Sequence, residues 1–212
     1  MLFGYPLGII LILISAVIIF FTKEEFFSKN FNFKKNTILW LIFIILGGSF
    51  FSLPLPFVKD GTYVNVGGAL IPLIIAFYLL GREDRWERTH TFLAAMVAFI
   101  LSFVVFSSIF IPLSIYLPLN NWLMPYLSAF IVFIIAKRPM AVLSSLILGL
   151  IGADIAKAIF TQSYIATEIG NRNLLNNLIL ATVFAYVLYR IAIIWTNKQS
   201  LKEIRLTNHP QS

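Results

Sequence analysis

A chain of 212 residues with 59% hydrophobic and only 12% charged side chains lies well outside the composition of soluble globular domains. Its formal net charge of +7 would point to nucleic acid in a soluble protein. Here the basic residues fall in alternate loops between apolar runs, so no nucleic-acid partner is expected. The chain has no cysteine, which excludes disulfides, thiolate metal sites and cysteine nucleophiles.

Long unbroken apolar runs are the signature of membrane spans. The N-terminal stretch Met1-Leu2-Phe3-Gly4-Tyr5-Pro6 carries no positive n-region, and no small-x-small site follows the first run. That run is therefore expected to be a retained span rather than a cleaved signal. Seven segments follow in order, at about residues 2–21, 37–53, 64–80, 91–111, 122–136, 140–160 and 174–195. Most reach the ~20 residues that cross a ~30 Å hydrocarbon layer. The third is short and interrupted by Gly67, Gly68 and Pro72, and the fifth is short as well.

Orientation follows from the Lys and Arg bias of the loops. Lys23, Lys29, Lys34 and Lys35 occupy the first loop, Arg82, Arg85 and Arg88 the third, and Lys137 and Arg138 the fifth. Arg190, Lys198, Lys202 and Arg205 close the chain, whereas the intervening loops hold only Lys59 and Arg172. The expected fold class is all-α. It is a polytopic membrane helical bundle of about seven transmembrane helices over residues 1–195, with the N-terminus outside. A polar cytoplasmic tail, 196–212, is expected to be poorly ordered. The expected location is the cell membrane, multi-pass, with the lipid bilayer as partner.

Several loops carry their own signals. Phe26, Phe27, Phe31 and Phe33 interleave with lysines in the first loop, which fits a segment resting on the membrane interface. In the third loop Glu83, Glu87 and His90 have helical spacing that could hold a metal. A lone Glu-x-x-His cluster without a second copy on a facing helix is weak support for that, and no metal or other cofactor is expected. Asp84 and Arg88 are expected to pair at i,i+4. Pro112, Tyr116, Pro118 and Trp122 suggest an external interfacial connection. Lys137-Arg138-Pro139 predicts a tight turn between the fifth and sixth spans. Small residues at four-residue spacing mark packing seams: Gly4 and Gly8, then Ala94, Ala98 and Ser102, then Ser145, Gly149 and Ala153.

Chemistry is expected in the sixth span, where Asp154 and Lys157 sit three residues apart. A charged side chain in a span costs roughly 2.5–3.5 kcal/mol on insertion scales, which makes it a functional suspect. At ~1.5 Å per residue Asp154 lies about 20 Å in from the cytoplasmic end. Lys157 is one turn further out and can snorkel to the interface. Asp154 is too short to do so and needs a partner, water or a proton. It either pairs with Lys157 or lines a polar cavity. Asn65, followed by Gly67, Gly68 and Pro72, opens the third span externally, as discontinuous helices do at transporter sites. The alternative is a Gly-rich packing contact with Asn65 as helix cap. Asn171, Arg172, Asn173, Asn176 and Asn177 open the seventh span. The site residues expected from depth alone are Asp154, Lys157, Asn65, Gly67, Gly68 and Asn176.

The stretches Gly48-Ser49-Phe50, Val64-Asn65-Val66-Gly67-Gly68-Ala69-Leu70-Ile71-Pro72 and Ile151-Gly152-Ala153-Asp154 resemble a family of small prokaryotic multi-span membrane proteins. That family is classified only as a domain of unknown function. The resemblance implies a polytopic membrane fold and brings no assigned activity. Relatives of that type carry a second aspartate at the start of the last span. Here Asn176 stands near that place, which argues against a two-carboxylate site.

Four functions compete. A small-solute or ion transporter, channel-like, would use the polar residues of the outer half. A structural or assembly protein would use them only to fix helix packing. An intramembrane aspartyl hydrolase needs two carboxylates sharing a proton, and Asp60 and Asp84 lie in loops on opposite sides. A retinal photoreceptor on Lys157 would place its Schiff base near the outer edge of the sixth span. The sequence favours the transporter and does not mark the chain as an enzyme.

Overall fold

The computed structural model describes residues 7–21, 24, 33–55, 61–106, 120–160 and 167–207. Lys23, Lys29, Phe26, Phe27, Phe31, Lys59, Asp60, Gly4, Pro112, Tyr116, Pro118 and His209 lie outside them.

The chain is mostly helical, and each of the seven apolar segments carries one helix. These are α1 (Leu7–Phe21), α2 (Lys35–Gly48), α3 (Ile71–Gly81), α4 (Arg85–Phe106), α5 (Asn120–Ala136), α6 (Pro139–Phe160) and α7 (Arg172–Thr207). Among the described residues, two apolar stretches, Pro139–Phe160 and Asn173–Thr196, are long and apolar enough to cross a membrane. Three further apolar helical stretches, Lys35–Gly48, Val66–Gly81 and Pro125–Ala136, are shorter. Helix α7 runs to Thr207, into the segment expected to be poorly ordered, because no Pro or Gly interrupts residues 196–207.

The expectation of an all-helical chain is corrected at one end of the bundle. Strands β1 (Ser52–Pro54) and β2 (Thr62–Asn65) pair antiparallel, and β3 (Thr167–Ile169) adds to β2 in parallel. The second apolar run therefore ends as helix at Gly48, and Val64 and Asn65 belong to a strand. A five-residue π-helical turn, Val66–Leu70, joins β2 to α3. Pro72 fits just inside the start of α3, where a proline's missing N–H costs no helical bond.

Helix α6 is the central element, packing on α3, α4, α5 and α7. Its buried face includes Ser145, Gly149 and Ala153, and the facing side of α4 buries Ala94, Ala98 and Ser102. These are the two expected seams. A Cβ on Gly149 would stand 2.5 Å from the Cβ of Ala98 and 2.7 Å from the Ala95 carbonyl oxygen. The helices approach closely here because Gly149 carries no side chain to hold them apart. The expected turn between α5 and α6 is made by Lys137, whose φ of 57° lets the chain reverse in two residues before Pro139.

At the opposite end from the sheet, Arg88 departs from expectation. Its guanidinium donates to the carbonyls of Leu80 (3.3 Å) and Glu83 (3.0 Å) rather than to Asp84. The last carbonyls of a helix lack intrahelical partners, and Arg88 answers that need for α3.

Candidate functional site

The sheet end of the bundle gathers most of the residues singled out by sequence. Asn65 is 4% exposed and has extended backbone angles. Its Oδ1 accepts the N–H of Gly68 at 2.7 Å, so Asn65 caps the π turn. Its Nδ2 donates to the Ser49 carbonyl at 2.9 Å and to Glu168 Oε1 at 3.1 Å. The Ser52 hydroxyl donates to the same Glu168 oxygen. One amide side chain thus ties together the end of α2, the strand β3 and the π turn that leads into α3.

Gly67 and Gly68 are buried and serve close approach rather than flexibility. A Cβ on Gly67 would overlap the Ile45 carbonyl oxygen and the Ser49 nitrogen, and one on Gly68 would overlap the Gly170 carbonyl oxygen. Gly170 has φ +78°, a conformation that L side chains rarely adopt, and its own Cβ would stand 2.5 Å from the Cβ of Ala69. The π turn and the loop after β3 therefore lie backbone against backbone.

Asp154, about two-thirds along α6, meets this assembly directly. Its Oδ2 accepts the Gly170 N–H at 2.9 Å. The chain of contacts runs Asn65, Gly68, Gly170, Asp154. Lys157, half-buried one turn further, acts electrostatically on the same carboxylate. Asn176 is half-buried on α7, a helix that packs on both α6 and the π turn. Asn171 caps α7 by accepting the Leu174 N–H at 3.0 Å.

Two features escaped the sequence reading. Glu168 supplies a carboxylate at the sheet end, although the start of the last span carries Asn176 rather than an acid. It lies on a three-residue strand outside every apolar run, so composition gave no signal. The partner of Asp154 is a main-chain N–H, a donor that almost every residue possesses.

The third-loop residues with metal-like spacing diverge. Glu83 turns inward to the Thr91 hydroxyl at 2.6 Å, Glu87 forms an ion pair with Arg138, and His90 Nδ1 lies 2.9 Å from the Trp86 carbonyl. Among the described residues, no three acidic or histidine side chains are grouped to hold a metal ion.

Fold and site together define a mostly helical protein with apolar helices of membrane-crossing length and a polar node where a small sheet meets an interrupted helix. The chain matches the model of the family described as "Protein of unknown function (DUF1614)" over residues 12–188, and it belongs to that family. No curated protein and no solved structure matches it.

Proposed function

We propose that the protein is a seven-span cell-membrane protein with its N-terminus outside, and that it moves a small solute or ion through a polar site in the outer half of the membrane. The seven-span reading rests on the alternation of basic loops and on the outward face of the helices. Val17, Phe20, Trp40, Phe43, Phe77 and Ile194 are all large, apolar and more than half exposed, as lipid-facing side chains are. With this orientation the sheet lies at the external end.

The observation that carries the transport reading is the bond between Asp154 and Gly170. A carboxylate in a span is held by a backbone donor on a loop that also closes over an interrupted helix. Such interruptions accompany substrate and ion sites in membrane transporters. A cation or proton arriving at Asp154 competes with the Gly170 N–H and loosens the loop from the π turn. Lys157, Asn65, Gly67, Gly68 and Asn176 complete the pathway. The test is flux of protons, Na⁺ and K⁺ in proteoliposomes, with Asp154→Asn beside the unaltered chain. Flux above empty vesicles that is lost in Asp154→Asn supports the site. Flux that survives the substitution removes Asp154 from the pathway.

A second reading, a structural or assembly protein, is favoured by the backbone contact of Gly68 with Gly170. Under it the polar node only clasps the helices together. Asp154→Asn combined with Lys157→Met would then act on folding and abundance alone, with no flux to lose.

A further inference from the structure

At the end of the bundle away from the sheet, Glu83 sits in the turn between α3 and α4. It is 7% exposed. Its Oε2 accepts a hydrogen bond from the fully buried Thr91 hydroxyl at 2.6 Å, while Oε1 is buried with no hydrogen-bond partner among the described residues. The Thr91 carbonyl in turn accepts from the Ser145 hydroxyl at 2.9 Å, which anchors this group to α6. A buried carboxylate with one hydroxyl donor is poorly compensated, because burial penalises the charged form and strong stabilisation takes two or three donors.

The charges around it do not neutralise it. Glu87 lies on the same helix face as Thr91 and is paired with Arg138 from the α5–α6 turn. The Arg88 guanidinium is directed at main-chain carbonyls, including that of Glu83 itself. Arg82, Asp84 and Arg85 in the same stretch are exposed to solvent.

We propose that the Glu83 carboxyl is a proton-binding site, taking up a proton from the aqueous phase at the α3–α4 turn and returning it there. In the protonated form the buried oxygen without a donor no longer carries charge. Deprotonation delivers the proton to water and leaves a carboxylate held by Thr91 alone, with Arg88 and Arg138 as the neighbouring cations. The directions agree with this geometry: burial pushes the Glu83 carboxyl above its ordinary 4.5, Glu87 pushes the same way, and Thr91, Arg88 and Arg138 oppose it. The Glu87–Arg138 ion pair beside it links the α3–α4 turn to the α5–α6 turn. It stands independently of transport through Asp154.

The test is pH-difference infrared spectroscopy on the full chain in lipid nanodiscs, following the carboxylic-acid C=O band. The unaltered protein is expected to show a component that disappears as pH rises above the ordinary glutamate range. That component is absent in Glu83→Gln and retained in Asp84→Asn, an exposed carboxyl of the same turn. Two further variants carry opposite signs. Thr91→Val, which removes the donor to the charged form, moves the midpoint to higher pH, and Glu87→Gln moves it to lower pH. A component that persists in Glu83→Gln overturns the assignment, as does a midpoint unmoved in both Thr91→Val and Glu87→Gln.

Discussion

The carboxylate of Asp154 and the backbone N–H of Gly170 meet at 2.9 Å, joining the central helix α6 to the loop that follows β3. The bond separates two substitutions that are usually treated as equivalent. Asp154→Asn keeps an oxygen that can accept the same N–H, whereas Asp154→Ala removes the acceptor. An unpaired buried donor costs about 1–3 kcal/mol. Denaturation of the purified protein in mixed micelles is expected to rank Asp154→Ala below Asp154→Asn by that margin. Equal stabilities would mean that the bond contributes nothing to the fold.

Gly68 and Gly47 form a natural comparison. A Cβ on Gly68 overlaps the Gly170 carbonyl, while a Cβ on Gly47 meets nothing within 4 Å among the described residues. Gly68→Ala should destabilise by about 1–3 kcal/mol, the usual cost of overpacking. Gly47→Ala should be neutral or gain up to about 1 kcal/mol from helix propensity. Thermal unfolding monitored by circular dichroism measures both.

Asn65 uses both ends of its amide, so no single isostere replaces it. Asn65→Ala loses the cap on Gly68 and is expected to cost about 1–2 kcal/mol. Asn65→Asp keeps the cap but loses the donors to Ser49 and Glu168 and sets a second carboxylate against Glu168. It should be the more harmful of the two near neutral pH. Repeating the unfolding measurement with Glu168→Gln in the same chain should recover part of the loss in Asn65→Asp.

The seam between α4 and α6 predicts compensation. Gly149→Ala places a methyl 2.5 Å from the Ala98 Cβ and is expected to cost about 1–3 kcal/mol. Ala98→Gly clears that methyl, although the Ala95 carbonyl at 2.7 Å still resists it. The double variant should therefore be more stable than the sum of the two changes, by at least about 0.5 kcal/mol in a mutant cycle.

Glu83 gives the fold a pH dependence of definite sign. Its proton is held more tightly in the folded chain than in the unfolded one, because burial raises it above 4.5. This contribution is fully present below the unfolded value and is lost as pH rises through the folded one. Unfolding temperature should fall across that window, and Glu83→Gln should flatten the fall. A profile identical in both proteins would place the titrating group elsewhere.

Much of the architecture was legible because it is written in local composition. Each apolar run carries a helix among the described residues, and the Gly67-Gly68 break fell on the π turn that leads into α3. Ser145, Gly149 and Ala153 face Ala94, Ala98 and Ser102, because only small residues at that spacing let two helices meet closely. The sheet was hidden for the opposite reason. Its strands are three or four residues long, and Glu168 reaches Asn65 across 103 positions, a distance no window of periodicity covers. Arg88 departs from the i,i+4 pairing with Asp84 because carbonyls near a helix end, common to every sequence, take its guanidinium instead.

The parallel pairing of β2 with β3 has a consequence for biogenesis. Strands β1 and β2 can join as soon as both have left the ribosome, but β3 arrives only after α3, α4, α5 and α6 have been made. Until then Asn65 lacks Glu168, Asp154 lacks Gly170, and the π turn lacks the loop that covers it. The last strand therefore closes the sheet. A chain truncated before Thr167 has an open edge on β2 and an Asp154 carboxylate without the Gly170 N–H.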